Sequence, residues 1–193
     1  MAGRPKIFNR EEVLDKSIQL FWEKGYEQTS TVELLKAVQL NKGSLYNEFN
    51  SKEELFIEGL KQLETKALNA FEDKLKTSDQ PLNEIKLLFK SIIDSNNEDN
   101  CKGCILGNTI MEFAGQNPQI VKEASFYIVK LELLFEEYIE KAKNNEQFSS
   151  EHSSKDIAQY LINFWNGINV SRRVYQEASV LENMINFHLT ILD

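Results

Sequence analysis

Apolar residues in this chain recur every three or four positions rather than every two, and each such run ends in a short polar segment. Val13, Leu14, Ser17, Ile18, Phe21 and Trp22 share one face of a helix expected over residues 10–24, and Gly25 suits a left-handed cap after it. A second helix is expected over 31–38, with Val32, Leu34, Leu35 and Val38 as its inward face. A third covers 42–49. There Leu45 and Phe49, four apart, point inward and turn Lys42, Ser44, Tyr46 and Asn47 to the flank or outside. A long helix over 52–76 carries Leu55, Phe56, Leu60, Leu63, Ala67, Leu68 and Phe71 as its stripe. Further helices are expected at 81–95, 105–116, 118–143, 154–176 and 179–192, with Pro81 and Pro118 at first helical positions and polar loops at 96–103 and 144–153. The fold class is all-α.

Local start signals divide the first 55 residues. Asn9-x-x-Glu12, Ser30-x-x-Glu33 and Ser51-x-x-Glu54 all have the spacing of a capping box, and Asn41 is the expected cap of the third helix after the turn Gln39-Leu40-Asn41. A short helix, a tight turn and a second short helix form the unit that lays a recognition helix into a DNA major groove. The expected division is a three-helix, helix-turn-helix domain over 1–50 and a larger helical domain over 51–193, with the helix 52–76 bridging them.

Charge changes this picture in one respect. The net charge of −8 argues against indiscriminate nucleic-acid coating, yet residues 1–66 hold ten Lys/Arg against eleven Asp/Glu, while 67–193 hold twelve against nineteen. The acidity lies in the second part, and Arg4, Lys6 and Arg10 make a local basic arm. No signal-like apolar stretch opens the chain and no uncharged apolar run reaches eighteen residues, so the expectation is a cytoplasmic protein with no membrane partner. Catalytic residues, metal ligands and cofactors are not expected.

The string from Thr29 to Leu55, preceded by Leu20-Phe-Trp-Glu-Lys-Gly-Tyr26, resembles the N-terminal signature of TetR/AcrR family transcriptional regulators over about residues 8–60. Its most diagnostic part is Lys42-Gly-Ser-Leu-Tyr46 followed by Phe49 and Ser51-Lys-Glu-Glu-Leu55. The resemblance implies a homodimer on a double-stranded DNA operator. The residue chemistry agrees with it. Gly43 inside a helix costs about 1 kcal/mol relative to alanine, which points to close backbone approach by a partner. Tyr46 offers a hydroxyl to a phosphate, and Lys52 adds an ammonium to the positive end of the bridging helix, where the family string implies backbone contact. Ser30 and Thr31 offer hydroxyls and N–H groups, although capping explains them almost as well. Base reading falls to Lys42, Ser44 and Asn47. Arg4 and Lys6 resemble minor-groove arms, with a solvated tail as the alternative. Two positions depart from the family pattern. Gln39 stands where glycine is usual, so it must turn left-handed or shift the turn, and Glu48 lies near the DNA face, where phosphates repel it unless it points away.

In the second part the aromatic stripe is ordinarily core, while the resemblance implies a cavity for an apolar or amphipathic small-molecule effector. Its candidate liners are Phe89, Ile93, Asn108, Met111, Glu112, Phe126 and Phe164, with Asn108 or Glu112 as polar anchor. The resemblance also implies dimerisation through the last two helices. Ile157, Leu161, Phe164, Trp165 and Ile168, with Gly167, form one stripe, and Leu181, Met184, Ile185, His188, Leu189 and Leu192 form the other; either could instead close the monomer's own core. Cys101-Lys-Gly-Cys104 lacks the preceding strand of a dithiol oxidoreductase and the second Cys pair of a zinc site. Cys104, at a helix start, remains a redox candidate for a thiol-sensing regulator.

Overall fold

The computed structural model describes residues 8–93, 102–175 and 177–193, and among them every regular element is helical. The chain forms two compact units, one ending at Ala67 and one beginning at Leu68. The first contains α1 (Arg10–Lys24), α2 (Thr31–Val38), α3 (Lys42–Phe49) and the first part of α4 (Lys52–Thr77). The division falls inside α4, the helix expected to bridge the two domains. The physical reason is packing: Leu55, Phe56 and Leu60 of α4 are buried, and Phe56 meets Phe21 and Tyr26 edge-on at centroid distances of 5.1 and 5.3 Å. Gly59 completes the fit, since a Cβ there would stand 3.1 Å from Ile18 Cβ of α1.

The helix starts follow the capping signals unevenly. Ser30 makes a complete capping box with Glu33, while Asn9 accepts from the N–H groups of Glu11 and Glu12. Ser51 accepts from the Glu54 N–H at 3.0 Å, but the Glu54 carboxylate is taken by the Asn50 side chain at 2.7 Å. Gly25 has φ 86 and ψ 158, so it ends α1 in an extended positive-φ conformation and not in the left-handed helical cap expected. Val32 is 75% exposed, against expectation, because α2 is too short to bury both sides and Leu34 and Val38 already face the core.

The second unit holds α5 (Pro81–Lys90), continued by a 3-10 turn at Ser91–Ile93, then α6 (Ile105–Phe113), α7 (Pro118–Asn144), α8 (Ser154–Val174) and α9 (Ala178–Leu189), ending in a 3-10 turn at Thr190–Leu192. Helix α7 packs against α5, α6 and α8, and α9 closes on α5 and α8. Its core runs from Phe71 and Leu75 of α4 through Ile85, Phe89, Phe135 and Ile139 to Leu161, Phe164, Ile168, Leu181 and Ile185. Full burial of each such side chain stabilises by roughly 1.5–3 kcal/mol, so this cluster dominates the unit. Among the described residues no helix is long and apolar enough to cross a membrane.

Candidate nucleic-acid interface

Three residues turn α2 into α3. Gln39 takes φ 56 and ψ 38, the left-handed conformation, and its N–H bonds the Leu35 carbonyl, so the turn keeps its geometry without glycine. Asn41 then caps α3, its side chain accepting from the Ser44 N–H at 2.8 Å. Leu45 and Phe49 are fully buried behind the helix. That leaves Lys42, Gly43 and Asn47 exposed on the front, with Ser44 and Tyr46 half-buried on the flanks. A Cβ on Gly43 would meet only Asn41 Oδ1, at 3.4 Å, so the fold itself makes little demand for glycine there.

The supporting hydroxyls are arranged differently from one another. Thr31 Oγ1 and Tyr46 Oη lie 3.1 Å apart and share a hydrogen bond, which ties the start of α2 to the middle of α3. Ser30 spends its only hydroxyl proton on Glu33 Oε2, at 2.8 Å, and accepts from the Glu33 N–H, so capping accounts for it. Lys24, then the Ser30 N–H and hydroxyl, hold the Glu33 carboxyl down to about 2. Lys52 Nζ donates to the Tyr26 carbonyl at 2.6 Å and stands 4.1 Å from the Tyr26 ring, which ties the start of α4 to the segment after α1. Glu48 turns to Arg10 Nε at 3.0 Å, and so points away from the front of α3. Sequence reasoning named Arg10 only as part of a basic arm. No local signal pairs residues 38 apart. Arg4 and Lys6 lie outside the described residues.

The candidate ligand residues have unlike surroundings. Phe89 and Phe164 stack at 5.3 Å within a group that includes Phe135 and Trp165, and Phe89 is fully buried, so these rings belong to the core. Met111 and Phe126 are exposed, 79% and 50%, on α6 and α7. Ile93 is partly buried against the core, and Glu112 is half-buried. The amide of Asn108 is occupied by the protein: it donates to the Lys102 carbonyl at 3.0 Å and accepts from Arg173 at 3.0 Å. The apolar stripes of the last two helices close the protomer's own core, one of the two roles open to them. Ile157, Leu161, Phe164, Ile168, Leu181, Ile185, Leu189 and Leu192 are buried inside the protomer, Trp165 and Met184 pack partly against that core, and His188 stacks on Phe164 at 4.1 Å. The face left outside on α8 is a different one, Tyr160, Asn163, Gly167, Val170 and Val174, joined on α9 by Phe187. Cys104 is half-buried at the N-cap of α6, and Cys101 lies outside the described residues.

Comparison with known proteins agrees with this geometry. The family model for "Bacterial regulatory proteins, tetR family" matches residues 13–58, and that for "Tetracyclin repressor-like, C-terminal domain" matches residues 81–187. The HTH-type transcriptional repressor ComR of Escherichia coli is 50% identical over 54 residues, 28% of this chain and only 26% of ComR, a match confined to about a quarter of that repressor's length. The HTH-type transcriptional regulator YezE of Bacillus subtilis is 24% identical over 193 residues, covering 99% of this chain and 100% of YezE. Among solved structures, a cysteine-substituted mutant of the TetR family transcriptional regulator CifR, complexed with 26-base-pair operator DNA, has a TM-score of 0.83 at 21% identity over 99% of this chain and 100% of that one. At that identity the likeness speaks for the fold. With one family model on the helix-turn-helix and a second over more than half of the chain, the protein belongs to the TetR family and is a transcriptional regulator.

Proposed function

We propose that this regulator binds a pseudo-palindromic operator as a homodimer, represses transcription there, and is released by a small molecule. The observation that carries the reading is the front of α3, where Lys42, Gly43 and Asn47 are exposed while Leu45 and Phe49 hold the helix from behind. In this reading Lys42 donates to guanine, Asn47 pairs with adenine through both ends of its amide, and Ser44 makes a flanking contact. Gly43 lets the backbone approach the groove. Thr31 and Tyr46 share one hydrogen bond, so whichever hydroxyl accepts it keeps its own proton for a phosphate, and Lys52 retains two ammonium protons for another after Tyr26 has taken one. Arg4 and Lys6, ahead of α1, reach the minor groove. The operator complex of CifR, a protein of the same fold, supports the docking mode.

The second copy covers the outer face of α8. Tyr160, Asn163, Gly167, Val170 and Val174 follow three- and four-residue spacing, and a Cβ on Gly167 would meet nothing within 4 Å in the protomer. Two reading helices related by a two-fold axis then meet successive major grooves about 34–36 Å apart. The effector acts through the second unit, and α4, one continuous helix with residues in both units, is the mechanical link. A small molecule shifts operator occupancy only by its differential affinity for the two states.

Band-shift titration of the protein's own promoter region tests the proposal. A salt-sensitive, sequence-preferring complex is expected, with Asn47→Ala relaxing one operator position at a cost of roughly 1–3 kcal/mol while other positions keep their preference. Equal weakening on every sequence would refute the base-reading role, and no preference for any promoter duplex would refute the whole reading. Ligands found by thermal shift are then added to the complex, and a stabilising ligand that leaves operator affinity unchanged would refute the release step.

A second reading concerns the thiol. Cys104 caps α6 without a side-chain hydrogen bond to the helix, and the Arg173 guanidinium lies close against the neighbouring Gly103. A helix N-terminus and a nearby cation both favour thiolate, so an electrophile that forms an S–C bond with loss of the thiol proton would be the effector. Operator release by such a reagent in the wild type and in Cys104→Ser alike would exclude this reading.

A further inference from the structure

We infer that Val32 is a specificity-determining residue of the DNA interface, its methyl groups meeting the 5-methyl group of a thymine in the operator. The inference rests on the DNA-binding reading of α2 and α3. Val32 is 75% exposed, the one large apolar side chain standing in solvent among the described residues of the first unit. Exposure alone says little, since single apolar side chains are common on protein surfaces. Its place on α2 says more. Four faces run along that short helix, and three of them are taken. Glu33 turns to α1, where its carboxylate pairs with the Lys24 ammonium. Leu34 and Val38 are buried in the core. Thr31 turns to α3, its hydroxyl 3.1 Å from that of Tyr46. The fourth face carries Val32 and Lys36, both exposed, and lies next to the one that meets α3.

That face looks away from the core, as do Lys42, Gly43 and Asn47 on α3, whose inward side is Leu45 and Phe49. The outward faces of α2 and α3 therefore continue into one another, and Lys36 and Lys42 give the joint surface the positive charge that suits a duplex. Valine on this surface can make neither a hydrogen bond nor an ion pair. Among the base edges in the major groove only thymine offers an apolar group, its 5-methyl. With the Thr31–Tyr46 pair at a phosphate, the start of α2 stands at the rim of the groove, and Val32 is the next residue along. Val32 thus adds a methyl contact to the hydrogen bonds that α3 makes, and it discriminates thymine from the other three bases at its position.

The experiment is fluorescence-anisotropy titration of a duplex from the protein's own promoter region, in which each thymine of one half-site is replaced in turn by deoxyuridine, so that only a methyl group is removed. The full-length protein is compared with Val32→Ala and with Val32→Thr, which keeps the shape of valine and one of its methyl groups. Circular dichroism on each variant reports folding. For the wild type, deoxyuridine at one position should weaken binding about fourfold, the loss that one buried methyl group implies, with an unchanged salt slope. Val32→Ala should bind the unmodified duplex more weakly and should no longer feel that replacement, its affinity changing by less than about 1.5-fold. Wild-type binding indifferent to deoxyuridine at every position would overturn the inference. So would an equal loss at the same position in Val32→Ala, because another side chain would then hold the methyl group. Should Val32→Ala fail to fold, Val32→Thr carries the comparison, with reduced discrimination expected and full discrimination contrary. A wild-type protein that bound no promoter duplex would overturn the DNA-binding reading and this inference together, whereas binding without the methyl effect overturns the inference alone.

Discussion

Glu64 sits half-buried on α4 with no hydrogen bond or ion pair to another described residue, and burial pushes its carboxyl from 4.5 up to about 7. The folded value lies above the unfolded one, so the group costs nothing below about pH 4.5, where both states are protonated. The cost grows as pH rises from there to about 7 and is complete above it. Glu64→Gln should therefore raise stability by about 1–3 kcal/mol at pH 8 and by nothing at pH 4, as read from urea unfolding at the two pH values. An equal gain at both would mean that the amide improves packing and that charge is not the cause. Glu33 shows the opposite sign, since its carboxyl is held down to about 2 by Lys24 and Ser30 and so favours folding until acid protonates it. The two acids differ because Glu33 has Lys24 and Ser30 as donors, while burial is the cause acting on Glu64.

At the scale of the element, capping and period account for where the helices lie. Helices α1, α2 and α3 have the expected bounds, because each start is fixed by a side chain bonding its own first turn. The expected helices at 81–95 and 179–192 instead finish in 3-10 turns at Ser91–Ile93 and Thr190–Leu192, where the last turn tightens. Contact between elements is a separate matter, and Gly59 shows it. Alanine there would gain about 1 kcal/mol of helix propensity but would press its Cβ to 3.1 Å from Ile18 Cβ and 3.5 Å from the Leu14 carbonyl. Leu14 and Ile18 are both buried, and neither a backbone carbonyl nor a Cβ can rotate away, so overpacking should win. Gly59→Ala is expected to lower stability by about 1 kcal/mol in chemical denaturation. A more stable variant would show that α1 shifts to make room.

For the whole molecule, the proposed dimer makes the strongest demand on the outer face of α8. Val170 is 64% exposed and Phe187 is 76% exposed, so neither contributes much to the protomer's own core. Val170→Glu should leave protomer stability within about 0.5 kcal/mol while placing like charges across a two-fold interface. The expected outcome is a halved mass in sedimentation and loss of operator binding, since two half-sites must be held together for tight binding. An intact dimer in this variant would move the interface elsewhere on the second unit.

The sequence by itself determined the helices, the helix-turn-helix and the family, because these rest on interactions among residues one to four apart: Ser30 with Glu33, Asn41 with Ser44, Gln39 with Leu35. Left-handed Gln39 was one of two conformations that its place in the turn allowed. What tertiary structure decided is which apolar residue faces which neighbour. Periodicity marks a stripe but does not say what covers it: the α8 stripe closes the protomer's own core, one of the two roles open to it, and Phe89 and Phe164 stack within that core. Val32, Met111 and Phe126 face outward for the same reason, since apolar character alone carries no partner. The Arg10–Glu48 pair lay furthest from view: its members are 38 residues apart, and only the packing of α1 beside the end of α3 brings guanidinium and carboxylate within hydrogen-bonding distance.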